Sequence, residues 1–287
     1  MDAELHQALS RIPLVDPAQA RVVPLSGGIT NRNFRIEFDE HCLVLRLGGK
    51  NTDLLGIDRT VEAAAAAWAH TAGVGAEVIL ADPQADVMVT RFIPGAALKV
   101  EELLPDVLLC LAEVMRTVHS APAVGRHFSP FGAMRDYLEL ARALQVEFPP
   151  NLDEALEQAR QLEEALASSA EPCLCHNDLL PGNFLHDGER WRLIDWEYAA
   201  MGDPFFDLGN FAVNLGLDEA GRYSLLSAYL GEVKAADVSR LDMMRLASDL
   251  REAFWGFLQC GISNLEFDFA SYARRHLDRF LIQVKEV

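Results

Sequence analysis

The sequence predicts an α+β fold in two lobes, a small antiparallel sheet with one helix followed by a larger, mainly helical lobe. Three observations predict it. The chain has 287 residues, half of them apolar, enough to bury a large core and to divide into more than one compact unit. Its first third carries the alternating or continuous apolar patterns of strands, whereas from about Glu101 apolar residues recur at the helical period. Between the two regimes stands Arg91-Phe92-Ile93-Pro94-Gly95, where a strand runs into a Pro-Gly pair that marks a linker. The lobes are therefore expected over residues 1–95, with the linker at 91–95, and over residues 96–287.

In the first lobe, Phe34, Ile36 and Phe38 alternate with Arg35 and Glu37, the period of a half-buried strand, and Cys42 to Leu47 is a nearly continuous apolar run that suits a central strand. Ahead of them lies Ser26-Gly27-Gly28-Ile29-Thr30-Asn31. This segment reads either as a plain hairpin turn or as a loop whose glycines let backbone amides approach phosphate oxygens. Its place one strand pair before an arginine that interrupts an apolar strand favours the phosphate reading. That arginine is Arg46, and a guanidinium among leucines needs a partner because an unpaired buried charge costs several kcal/mol. Glu62, at the start of the alanine-rich helix from Val61 to Ala72 that Gly73 stops, is the expected partner. Strands over Glu77 to Ala81 and Val87 to Phe92 flank the turn Asp82-Pro83-Gln84, and backbone groups at Arg91 and Ile93 are placed to meet an adenine edge.

In the second lobe, Leu104, Leu108, Leu111, Met115 and Val118 predict an amphipathic helix. Asn151 with Glu154 predicts a capped helix reaching Ser168. Short strands are expected over Cys173 to Cys175, Phe184 to His186 and Trp191 to Ile194, with Asp187-Gly188 as a hairpin turn. From Phe205 to Lys285 the chain reads as helical.

The chemistry concentrates in His176-Asn177-Asp178-Leu179-Leu180-Pro181-Gly182-Asn183 and Ile194-Asp195-Trp196-Glu197. Each fragment alone reads as a turn or a strand end. The ordered set, an Asp, an Asn five residues later and a second Asp twelve beyond that, is what phosphoryl transfer from a metal nucleotide requires. Asp178 suits the group that orients a hydroxyl and takes its proton, while Asn183 and Asp195 suit ligands to Mg²⁺ carried in with ATP.

Composition narrows the partners. A net charge of −18 is repelled by phosphate backbones and anionic membranes, which argues against nucleic acid and stable membrane association and favours a small cationic molecule. The acidic start Met1-Asp2-Ala3-Glu4 and the absence of a long apolar run predict a cytoplasmic protein. The five cysteines are scattered; Cys173 and Cys175 share a strand face but lack a second pair for a tetrahedral zinc site, and read as thiols in a reducing compartment. His6, His41, His70, His119, His127, His186 and His276 show no ligand spacing. The sequence does not set an oligomeric state.

The order of these features resembles the choline and ethanolamine kinases within the aminoglycoside-phosphotransferase superfamily, whose fold is like that of protein kinases. The resemblance runs from residue 24 to about 283. Cys175 to Phe184 is close to the choline-kinase form of the loop, and Ser26 to Asn31, with Ser26, Gly27, Gly28, Thr30 and Asn31, resembles the nucleotide loop of bacterial choline kinases. Arg46 looks like that family's replacement for the protein-kinase lysine. The resemblance implies support roles for His176 and for Asp207, as the buried acid that anchors the loop. It also implies an acceptor site of Asp178, Glu197, Tyr198, Trp255 in Ala253-Phe254-Trp255-Gly256-Phe257, and Phe269, where rings enclose the cationic head of an amino alcohol, foremost choline. Two positions depart from the eukaryotic pattern: Leu258 replaces a second tryptophan, and Asn214 a glutamate. Thiamine kinases share a segment like Ile194 to Ala199 and are the nearest rival, followed by aminoglycoside or sugar kinases. A catalytically silent nucleotide-binding protein is the rival of a different class, against which the intact Asp178, Asn183 and Asp195 stand.

Overall fold

The computed structural model describes residues 3–13, 15–25, 30–49, 51–167 and 171–286. The first part of the chain contains α1 (Ala3–Leu9), β1 (Arg21–Leu25), β2 (Arg32–Phe38), β3 (His41–Leu47), α2 (Arg59–Thr71), β4 (Val78–Asp82) and β5 (Val87–Arg91). The five strands make one antiparallel sheet in the order β1-β2-β3-β5-β4. Alternation along β3 puts Leu43, Leu45 and Leu47 on one face and Val44 and Arg46 on the other. The leucines join Ile36, Val87 and Val89 in a core closed by Leu5, Leu9 and Ile12 of the N-terminal segment. The short helix α1, which the sequence reading did not anticipate, thereby covers the face opposite Arg46. Both faces of β3 are covered, which is why its sequence is a continuous apolar run rather than an alternating one.

α2 begins two residues earlier than its apolar pattern suggests, because Asp58 caps it, accepting from the Thr60 and Val61 amides at 2.9 and 3.1 Å. Gly73, at φ +78°, ends it as expected. Ala65, Ala66 and Ala69 of α2 and Met88 of β5 belong to the main core, shared with the helical part of the chain.

That part runs β6 (Ala96–Ala97), α3 (Pro105–His119), α4 (Pro130–Ala143), α5 (Leu152–Ala165), β7 (Cys173–Cys175), β8 (Phe184–His186), β9 (Trp191–Leu193), β10 (Ala200–Gly202), α6 (Pro204–Asn214), α7 (Glu219–Leu230), α8 (Ala235–Ile262) and α9 (Phe269–Gln283). α8 is buried along most of its length and packs against α4, α6 and α9. β7 pairs with β10, and β6, β8 and β9 form a small sheet, so the loop from 176 to 183 is held between two short pairings.

Two expectations are corrected here. Leu104 is exposed rather than part of the buried stripe of α3, because Pro105 opens the helix and leaves Leu104 as its cap. Asn151 precedes α5 without a side-chain capping bond; its amide lies 3.5 Å from Asp278 instead, and the helix ends at Ala165.

The linker is fastened to β8. A Cβ at Gly95 would lie 2.2 Å from the carbonyl oxygen of His186 and 2.9 Å from its carbon, backbone atoms with no freedom to withdraw. Gly95→Ala is expected to destabilise the protein by about 1–3 kcal/mol, as overpacking does, and to loosen the β6–β8 pairing. Urea unfolding followed by circular dichroism checks this; an unchanged midpoint would show that the linker yields.

Candidate active site

The loop from His176 to Asn183 is suspended from one face of α6. Asp207, 1% exposed, accepts the His176 amide at 2.8 Å and the Asn177 amide at 2.7 Å. Asn210 accepts the Leu179 amide at 2.5 Å, and Asn214 donates to the Leu179 carbonyl at 3.4 Å. The spacing of 207, 210 and 214 is that of one helical face. His176 is buried; its Nε2 donates to the Ile194 carbonyl at 2.9 Å while its Nδ1 accepts the Asp178 amide at 3.3 Å, and burial holds its pKa below the ordinary histidine value. Asn177 adopts φ +64°, a left-handed conformation in which asparagine is tolerated, and its side chain donates to the Tyr198 carbonyl at 3.0 Å.

These constraints bring Asp178, Asn183 and Asp195 together. The Asn183 amide donates to the Asp178 carbonyl at 2.9 Å, and the Ile194 amide donates to the Asn183 carbonyl at 3.0 Å, so the residue before Asp195 is fixed to the first loop. Asp195 itself is at φ +67°, strained for a non-glycine residue. Its carboxylate opens to the cleft and has no hydrogen bond or ion pair among the described residues. Poor solvation within the cleft raises its pKa well above the ordinary range, and the charges of Glu197, Asp178 and Glu62 add to the effect. Hard oxygen donors whose mutual repulsion the Arg46 charge offsets only in part are what a divalent cation such as Mg²⁺ fits.

Asp178 is mostly buried, and burial pushes its pKa up to about 7; Arg251 opposes the rise, whereas Glu252 and Glu197 add to it. Arg251, from α8, places Nη1 3.6 Å from the Asp178 carboxylate and donates to the Asn177 carbonyl at 3.3 Å and to Glu252. It was not singled out from the sequence. The signal was available in kind: an Arg-Glu pair one residue ahead of Phe254-Trp255-Gly256 in an otherwise buried helix raises the same question that identified Arg46.

Across the cleft, Arg46 meets Glu62 as expected, Nη2 to Oε2 at 3.2 Å, and also Asp86 at 2.9 Å. Arg59 was missed and is the centre of the network. It contacts Glu62 at 2.9 Å, Asp86 at 2.6 Å, Glu197 at 3.4 Å and the side-chain amide oxygen of Asn31 at 3.0 Å. Asn31 in turn donates to Glu197 at 2.8 Å. Thr30 is half-buried beside it, and Ser26, Gly27 and Gly28 lie outside the described residues. Two expectations change. Arg91 is committed to the sheet, its amide and guanidinium both donating to Glu77, at 2.8 and 2.5 Å, so its N–H is already used; Ile93 remains in the linker. Glu197, grouped from the sequence with Tyr198, turns away from it toward Arg59 and Asn31.

Tyr198, Trp255 and Phe269 do come together. The Trp255 indole donates to the Tyr198 hydroxyl at 3.0 Å, and its ring meets Phe269 and Tyr272 edge-on, each at 5.9 Å. Tyr272 donates to Glu252 at 2.6 Å. One face of Tyr198 is already covered: the Arg251 guanidinium sits over it at 4.5 Å from the ring centre. Leu258 is buried in the core.

Comparison with known proteins places this site in context. Residues 21–242 match the model of the phosphotransferase enzyme family. A solved structure of a choline/ethanolamine kinase family protein from Mesorhizobium loti is 31% identical, with 99% of each chain covered and a TM-score of 0.81. Protein LicA of Haemophilus influenzae is 28% identical over 73% of this chain and 63% of its own length. The human protein named choline/ethanolamine kinase is 25% identical over 94% of this chain and 81% of its own.

The Asp178 carboxyl is expected to titrate near pH 7 and, once the neighbouring guanidinium is removed in Arg251→Gln, at a higher pH. Carbon-13 NMR of labelled aspartates checks this; equal pKa values in the two proteins would show that Arg251 does not act on the carboxylate.

Proposed function

Because the chain belongs to the phosphotransferase enzyme family, in its choline/ethanolamine kinase branch, we propose that it transfers the γ-phosphoryl group of ATP to the hydroxyl of a small amino alcohol, with choline as the acceptor. The observation that carries this reading is the convergence of Asp178, Asn183 and Asp195 on one cleft, with an excess of carboxylates around Asp195. Residues 1–95 serve as the nucleotide lobe and residues 96–287 as the catalytic and acceptor lobe.

Asn183 and Asp195 would hold Mg²⁺, which when bound would supply positive charge to offset that of the phosphates. Arg46, fixed by Glu62 and Asp86, holds the phosphates, together with backbone groups of Ser26, Gly27, Gly28, Thr30 and Asn31; the Ile93 backbone meets the adenine edge. Asp178 orients the acceptor hydroxyl and accepts its proton, a role that a carboxyl with a pKa of about 7 performs well near neutral pH. Arg251 keeps that carboxylate aimed. Trp255, Phe269 and Tyr272 face the cationic head, with Glu252 as the acid beside them.

One observation favours ethanolamine as a second reading. With Arg251 over Tyr198, one ring face is unavailable to a quaternary ammonium, whereas a primary ammonium can donate to Glu252 directly.

Asp178→Asn is expected to lower turnover by more than about 10²-fold while ATP still binds, and Asp195→Ala to abolish Mg²⁺-dependent nucleotide binding in calorimetry. In the native enzyme, kcat/KM should rise with pH through about 7, because the base works ionised, and level off above it. Trp255→Leu should raise the KM for the amino alcohol about thirtyfold, the equivalent of about 2 kcal/mol, with a much smaller change for ATP. Steady-state kinetics with choline, ethanolamine, thiamine, an aminoglycoside and a sugar identify the acceptor, and equal use of a neutral isostere of choline would overturn the cationic reading.

A further inference from the structure

Just before the loop, β7 presents two thiols on one face, as residues two apart on a strand must. The sulfurs of Cys173 and Cys175 are 3.9 Å apart. Two thiolates bound to one tetrahedral metal at about 2.3 Å each would stand about 3.8 Å apart. The missing third donor comes from a distant helix: a ring nitrogen of His119, at the end of α3, lies within 4.8 Å of both sulfurs. We propose that Cys173, Cys175 and His119 form a binding site for a soft, thiophilic divalent cation of the zinc or cadmium class.

The imidazole is already arranged as a ligand. With Asp207 as a carboxylate, which can only accept, a neutral His119 would carry its proton on Nε2, 3.0 Å away, and leave a lone pair on Nδ1. That is the tautomer metal-binding histidines adopt when a carboxylate holds their other nitrogen. Nδ1 is met at 2.7 Å by the hydroxyl of Tyr229, which a cation would displace or recruit as a fourth donor. Cys173 is half-exposed and gives access from solvent, whereas Cys175 is fully buried. Occupancy ties α3 to β7 through the carboxylate that also carries the His176 and Asn177 amides.

The test uses the full chain, stripped with a chelator and titrated with Cd²⁺ in the absence of nucleotide. The expected result is a thiolate-to-metal ultraviolet band that saturates at one Cd²⁺ per chain, is competed by Zn²⁺, and accompanies a rise in Tm, since a cation that binds only the folded state stabilises it. Cys173→Ser should retain its basal Mg²⁺·ATP turnover and lose at least tenfold in Cd²⁺ affinity. The double change Cys173→Ser with Cys175→Ser should abolish the band. His119→Gln should weaken binding about tenfold while the band persists at high Cd²⁺. An equal band in the double variant would assign the metal to Cys42, Cys110 or Cys260 and overturn the proposal, as would the absence of any band in the native chain or His119→Gln binding Cd²⁺ with native affinity.

Discussion

The active-site geometry depends on one buried carboxylate. Asp207 takes the amides of His176 and Asn177 on its two oxygens and His119 on one of them, and is itself set in α6 by helix packing. An ionised group in that position would be costly without full hydrogen bonding, and here three donors supply it. The consequence is mechanical as well as energetic. With two consecutive amides pinned, Asn177 is held at φ +64° and the chain leaves the loop with Asp178 turned into the cleft.

The opposite wall is organised by charge. Arg46 and Arg59 share Glu62 and Asp86, and Arg59 continues to Glu197, so one network spans the sheet, α2 and the segment after Asp195. Counting two guanidinium groups against Glu62, Asp86 and Glu197, the network is short of one positive charge even before Asp178 and Asp195 are added. Burial makes that deficit matter, since the side chains of Arg46, Arg59, Glu62 and Glu197 are each no more than 10% exposed and poorly screened by water. A site so composed favours cations and holds both guanidinium groups in fixed positions.

On the acceptor side the molecule supplies a cation of its own. Arg251 is among the largest fully enclosed side chains, held between Glu252, Asp178 and the ring of Tyr198. Its attraction opposes the rise in the Asp178 pKa that burial causes, which leaves the carboxyl near neutrality instead of far above it. The same placement covers one face of Tyr198 and leaves Trp255, Phe269 and Tyr272 as the neighbouring ring cluster.

Much of this was legible in the sequence where the determinant is local. β7 and β8 fall at the bounds their patterns predict, the 176–183 loop carries its residues in fixed order, and Arg46 with Glu62 could be paired because a guanidinium among leucines demands an acid and the next helix offers one. The segment Ser26 to Gly28 is read from the sequence alone. The remaining partners follow no local rule. Arg59 meets Glu197 across 138 positions, Arg251 meets Asn177 across 74, and His119 reaches Asp207 across 88. Arg91 and Asn151 went the other way, each taken by a neighbour that spacing did not reveal. The sequence by itself determined the strand and helix periods, the turn chemistry and the order of Asp178, Asn183 and Asp195 along the chain, because those are set by residues within a few positions of one another. Only the tertiary structure decided which charges meet, because a buried ion takes whatever partner helix packing brings within about 4 Å, and packing is settled by the whole core rather than by any segment of it.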